Sequence, residues 1–287
     1  MRNKPPLLIF LFLFSIQFAA PLDFIMQGGI DYSSYPQDNK SHAGDVFKPE
    51  LLPVGQLTLK DDFARMHSTR LYNYNISLSR DPIWRYTALG DIGYYLGNIN
   101  IGVGFFTGIS NFTFEHIDIG FSGRAGIGFP GIFIANAGFA SSVNEISDTG
   151  TAARRLITAQ VGFWLPHIFF TFDLQIKDYF EQVTRTTDIN DSRTRYKGSM
   201  EIFSKNVPYR LRFSFGWQVS SRAVNVSGSS ERSVYSIFIP GFYFYNQVKS
   251  TFAWFVEGEM PFNNYDIKDI KVFYNASIGL IFSYPES

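Results

Sequence analysis

Along most of this 287-residue chain, apolar and polar residues alternate with period two. The clearest run is the last one. Ile270, Val272, Tyr274, Ala276, Ile278, Leu280, Phe282 and Tyr284 form one set, and Asp269, Lys271, Phe273, Asn275, Ser277, Gly279, Ile281 and Ser283 the other. Such a pattern is the mark of a strand with one apolar and one polar face. Tyr209 to Arg222 is cleaner still: Tyr209, Leu211, Phe213, Phe215, Trp217 and Val219 alternate with Arg210, Arg212, Ser214, Gly216, Gln218 and Ser220. The same rule predicts strands over 168–179, 193–205 and 251–262, and less regularly over 67–79, 83–96, 99–109, 117–129, 132–144 and 153–165. Residues 231–245 are aromatic on both faces, so a strand is predicted there without an orientation. Weaker alternation marks 23–32 and 53–62.

The connections fall into two kinds. Asn98, Pro130-Gly131, Pro166-His167, Asn206-Val207-Pro208 and Asn246-Gln247 read as tight turns. Segments 145–152, 182–192, 223–232 and 263–268 are longer and polar, and are predicted to be loops. Short turns at one end and longer loops at the other suit an outer-membrane barrel.

Composition narrows the class. Aromatic residues make up 18% of the chain, with 31 Phe and 16 Tyr, while charged residues reach only 17%. After the N-terminus no stretch is apolar for the roughly 20 residues a membrane helix needs. A closed sheet is the other structure that satisfies its backbone inside a bilayer. The expected fold is therefore all-β: a transmembrane antiparallel up-and-down β-barrel of about 14 strands. The alternative has about 12, with 21–62 as a plug or periplasmic segment. A soluble β-sandwich fits less well, because Phe and Trp recur on so many outer faces. Arg2 and Lys4 followed by apolar Leu7 to Phe14 read as a signal peptide with cleavage near Ala20. This gives residues 1–20 as signal peptide and 21–287 as barrel, in the bacterial outer membrane. A net charge of zero leaves no basic footprint for nucleic acid, and the absence of Cys excludes disulfides and thiolate metal sites.

Residues 277–284 run Ser-Ile-Gly-Leu-Ile-Phe-Ser-Tyr. They resemble the C-terminal β-signal of bacterial outer-membrane proteins, which runs polar, any, Gly, any, any, aromatic, any, aromatic. Ser277, Gly279, Phe282 and Tyr284 match it, although the chain continues through Pro285-Glu286-Ser287. The resemblance implies recognition by the barrel-assembly machinery, with outer-membrane lipid as the surrounding partner. In size and strand number the chain is similar to small monomeric porins.

Alternation also assigns a lumen face. Strands over 99–144 point small residues inward, among them Gly102, Gly104, Gly108, Gly120, Ser122 and Gly126. Strands over 168–222 point charges inward, giving one smooth wall and one mostly basic wall. The residues expected to line the lumen are Arg195, Lys197, Glu201, Arg210, Arg212, Glu257, Glu259 and Lys271. If the hairpin closes at 206–208, Glu201 lies opposite Arg212, whereas Arg195 and Lys197 face Gln218 and Gly216 without a carboxylate. Such a basic lumen favours anions; the competing reading is a self-neutralising network of salt bridges. The inward glycines are expected to serve wall curvature, with close approach of something packed against that wall as the alternative. Of the four His (His42, His67, His116 and His167), His116, flanked by Glu115 and Asp118 near an expected external loop, is the one candidate for catalysis; His167 follows Pro166 in a turn and His42 sits in the irregular N-terminal loop. No enzyme, cofactor or metal site is expected. The expected function is passive diffusion of small polar solutes or ions through a porin-like channel. The alternative is a non-conducting barrel acting as an adhesin or as a scaffold for a secretion or envelope complex.

Overall fold

The computed structural model describes residues 22–31, 52–60, 72–81, 85–109, 117–129, 131–147, 150–184, 186–204, 207–263, 271–272 and 275–284. The expected signal peptide, His42, His67 and His116 lie outside these residues, and so do the side chains of Lys271 and Tyr284. The strands are β1 (Leu22–Asp31), β2 (Leu52–Lys60), β3 (Tyr72–Asp81), β4 (Arg85–Leu96), β5 (Ile99–Ile109) and β6 (Ile117–Phe129). There follow β7 (Phe133–Ser147), β8 (Gly150–Leu165), β9 (Ile168–Thr184), β10 (Thr187–Phe203), β11 (Tyr209–Val226) and β12 (Ser229–Lys249). The chain ends with β13 (Phe252–Glu259), the two-residue β14 (Phe262–Asn263) and β15 (Lys271–Val272), and β16 (Asn275–Tyr284).

Fourteen of these are barrel staves, since β14 and β15 only extend the edge of β12. Each stave pairs antiparallel with its neighbours. The ring closes where β1 meets β16 in an unbroken register from Leu22↔Tyr284 to Asp31↔Asn275. The two weakest predicted strands, β1 and β2, are therefore wall and not plug. The closing strand is shorter than its alternation suggested. It begins at Asn275, and the backbone of Lys271 pairs with Asn263 in the small β14–β15 ladder.

The two faces differ as alternation requires. Asp23, Asn73, Asp91, Asp118, Arg154, Asp191, Gln218 and Arg222 are buried, and all point to the interior. Large apolar residues such as Ile92, Val103, Phe121, Phe172, Phe215 and Ile278 are exposed on the outside. A soluble sandwich buries such a face; here it forms an apolar band around the barrel. Outward rings cluster near the end that holds both Leu22 and Tyr284. Tyr72–Tyr94, Phe133–Phe163, Phe244–Trp254 and Phe252–Phe282 each have centroids 5.3 Å apart. Such a girdle is typical of a membrane interface.

Wall height is uneven. Strands β8 to β12 run 16, 17, 17, 18 and 21 residues, against 10, 9 and 10 for β1 to β3. Segments 182–192 and 223–232, expected as loops, are mostly strand. Their ladders run on to Thr184↔Thr187 and to Val226↔Ser229, the latter closed by Ser227-Gly228. Positive φ at Ser227 (49°) and Gly228 (87°) is the geometry of a two-residue turn whose twist matches its strands. Beyond the apolar band the outer face turns polar, so period two vanishes from the sequence while the hydrogen-bonded ladder continues.

Candidate functional site in the barrel interior

The interior charges gather on β9 to β13. Register places Arg195 opposite Gln218 and Lys197 opposite Gly216, as alternation predicted. They are nonetheless paired. Arg195 Nη2 binds Glu259 Oε1. Lys197 Nζ donates to Glu259 Oε1 at 3.2 Å and to Glu257 Oε1 at 3.4 Å. These carboxylates belong to β13, three staves from β10. Gly216, Ser214 and Gly241 lie between, and a Cβ on Gly241 would stand 3.2 Å from Glu259 Cγ and 2.7 Å from Ser214 Oγ. Small residues on β11 and β12 thus clear a corridor along the wall, and the long cations reach across it. The expectation of unpaired basic charge at Arg195 and Lys197 is overturned for this reason: their carboxylates stand three staves away and not on the adjacent strand.

Glu201 and Arg212 are direct register partners, yet each bonds elsewhere. Arg212 lies over the Tyr243 ring at 4.2 Å and stands 4.0 Å from Glu257. Arg210 lies over Tyr245 at 5.4 Å and pairs with Glu201 at 3.5 Å. Asn275 Nδ2 donates to Glu259 Oε2 at 3.3 Å, which ties the cluster to the closing strand. Glu259 is only 9% exposed, Lys197 19% and Arg195 24%. Three cations (Arg195, Lys197, Arg212) thus face two carboxylates in a partly dry space, where ion pairs are screened less than on the surface.

Two interior cavities meet at Arg195. One of about 370 Å³ is lined by Arg195, Lys197, Glu201, Arg212 and Asp173. The other, about 350 Å³, lies toward the tall end and is lined by Arg195, Arg193, Lys177, Gln218 and, from the opposite wall, Gln27 and Gln56. Asp173 in the first accepts from Gln160 Nε2 at 2.7 Å.

The wall expected to be smooth carries charge that the sequence reading passed over. Arg124 binds Asp91 and Asn73, lying flat over Gly93 and Gly102, where a Cβ would strike its guanidinium or stem. Arg154 (0% exposed) binds Asp118 (1%), whose Oδ2 also accepts from Ser142 Oγ at 2.7 Å. The Arg154 guanidinium sits 5.1 Å from the Tyr179 ring. Gly108 makes room for this pair. Gly93, Gly102 and Gly108 therefore serve close approach, the alternative to curvature. The signal available in the sequence was Arg124 on a strand whose paired positions are glycine, readable only once the register is known. Toward the tall end, Phe106, Ala140 and Tyr179 form an apolar cluster with Leu89 and Leu156.

The residues of the C-terminal motif sit at the seam. Gln27 Nε2 donates to Ser277 Oγ at 2.8 Å across β1 and β16. Gly279 lies under the Phe255 ring, which occupies the space a Cβ would need. Phe282 faces outward between Phe252 and Phe24, at 5.3 and 6.4 Å.

No protein-family model matches the chain, and no curated relative matches it by sequence. Solved barrels resemble it in outline. Outer-membrane expressed OmpT of Vibrio cholerae is 7% identical, with 92% of this chain and 98% of that one covered and a TM-score of 0.46. An anion-selective porin from Comamonas acidovorans is 10% identical over 92% and 98%, with a TM-score of 0.44.

Proposed function

We propose that the protein is a porin-like channel of the bacterial outer membrane, passing small polar solutes or ions by diffusion. The observation that carries this reading is the pairing of faces: a closed 14-stave ring, apolar outside and charged inside, with two polar cavities that share Arg195. Solutes cross the level of Arg195, Lys197, Glu257 and Glu259, where opposite charges alternate. Insertion depends on the barrel-assembly machinery acting on Ser277, Gly279, Phe282 and Tyr284, and on surrounding lipid. Neither catalysis nor a cofactor forms part of this reading. Single-channel recording in planar bilayers tests it: discrete conductance steps are expected. Their absence in protein shown to be folded refutes it.

One observation favours the second reading, a non-conducting adhesin or scaffold. The Phe106–Ala140–Tyr179 cluster and the fully buried Arg154 and Arg222 fill the interior toward the tall end.

A further inference from the structure

The outer surface of the tall wall is concave at two heights. On β8 to β12, a cavity of about 580 Å³ is lined by Val161, Phe172, Tyr196, Gly198, Phe215 and Trp217, among others. All six lie on the outward parity, in register across Val161↔Phe172, Phe172↔Gly198 and Gly198↔Phe215. The hollow exists because Gly198 brings no side chain between two rings. Phe172 and Phe215 are 62% and 63% exposed.

Higher on the same strands and the same face lies a second cavity, of about 850 Å³. Its outward lining is polar and sets two arginines, Arg155 and Arg232, beside two carboxylates, Asp178 and Asp188, with Asn190, Ser192 and Ser221 between them and the Phe180 ring alongside. The change is abrupt. The row Ile157↔Ile176↔Thr194↔Val219 is followed, two residues on, by Arg155↔Asp178↔Ser192↔Ser221. From Gly198 to Ser192 the strand rises about 20 Å. At a tilt of about 40° that is about 15 Å of membrane depth, half of a hydrocarbon core about 30 Å thick. The apolar hollow therefore falls near mid-bilayer and the polar trough at the head-group level of one leaflet.

Taking the tall end, opposite the short turns, as the extracellular one, we infer that this wall binds one phosphorylated glycolipid of the outer leaflet, head group in the trough and an acyl chain reaching the Gly198 hollow. The inference rests on the membrane-spanning part of the proposed function and is independent of conduction. The chemistry of the trough selects the head group. Arg155 and Arg232 supply cationic donors for phosphate. Ser192, Ser221 and Asn190 offer hydroxyl and amide partners to sugar hydroxyls, and the partly exposed Phe180 ring is a face on which a sugar can stack. Arg155 gives Nε and Nη2 to Asp178 Oδ2 at 2.8 and 2.5 Å, which fixes its plane. Among the described residues Arg232 makes no ion pair. A polar trough above an apolar hollow, with the row Ile157, Ile176, Thr194 and Val219 between them, suits the head group and chain of a single amphiphile.

The test is native mass spectrometry of the full chain, folded in detergent and titrated separately with monophosphoryl lipid A and with phosphatidylglycerol. Monophosphoryl lipid A is expected to bind at one copy and at least about tenfold more tightly than phosphatidylglycerol. Arg155→Gln with Arg232→Gln weakens it by about tenfold or more. Gly198→Leu fills the hollow and does the same. A Cβ at position 198 meets Phe172 at ordinary contact, 3.7 Å, and only variants with heat-modifiable gel mobility, hence folded, are compared. Equal binding of both lipids, or unchanged binding in folded variants, overturns the inference, as does a stable dimer or trimer that is abolished by Gly198→Leu. A barrel that conducts but retains no glycolipid sinks the inference and leaves the channel standing.

Discussion

Glu259→Gln removes the charge on which the interior network converges. Its carboxylate holds Arg195, Lys197 and Asn275 at once. Lys197 and Glu259 at 3.2 Å attract each other by about 5 kcal/mol at an effective dielectric constant near 20. Most of that is offset by the desolvation of both ions, and the partners are 19–24% exposed, which admits some screening. The net loss expected is about 1.5–3 kcal/mol, the range of a hydrogen bond to a charged group. A double-mutant cycle with Arg195→Gln isolates the neighbouring Arg195–Glu259 pair: each single variant strands a charge, the double strands one fewer, and the coupling should be about 1–3 kcal/mol. The assay is equilibrium unfolding in urea from lipid vesicles, followed by the fluorescence of the four tryptophans. The same substitution leaves three cations facing one carboxylate, so a conducting channel should shift its reversal potential toward anions. A coupling below about 0.3 kcal/mol, within the scatter of independent sites, would refute the three-stave ion pair. An unchanged reversal potential in an open channel would refute its place in the conduction path.

Replacing Arg195 and Lys197 together by Glu sets four carboxylates at one level and should move the reversal potential toward cations. The shift should shrink as salt rises, because the screening length falls from about 10 Å at 0.1 M to about 3 Å at 1 M; a salt-independent shift would contradict a direct field effect. Gly279→Leu drives a side chain into the Phe255 ring at the seam, and should lower the yield of heat-modifiable folded barrel in refolding gels. Phe282→Ser with Tyr284→Ser should lower the amount of folded protein in outer-membrane fractions, and equal insertion of variant and parent would show that residues 277–284 are no assembly signal.

Period two by itself determined the strands that cross the apolar band, because each of their residues must suit either the apolar exterior or the polar interior. Tyr209–Val219 and Asn275–Tyr284 are such segments, and their outward sets are outward in the structure. The pattern also placed Glu201 opposite Arg212 and Arg195 opposite Gln218, since a tight turn fixes antiparallel register. Three things were decided only by the tertiary structure. The upper ends of β9 to β12, within 182–192 and 223–232, read as loops, because strand pairing above the membrane rests on backbone hydrogen bonds that leave no hydropathy signal. The partners of Arg195 and Lys197 were invisible, because a chord across three staves depends on wall curvature and on the small residues Gly216 and Gly241 along its path. The glycine wall looked empty, because a glycine's sequence does not say what lies over it; Arg124 and Arg154 reach those places through strand register. Local alternation is a property of one strand, whereas side-chain pairing inside a closed ring is a property of its cross-section.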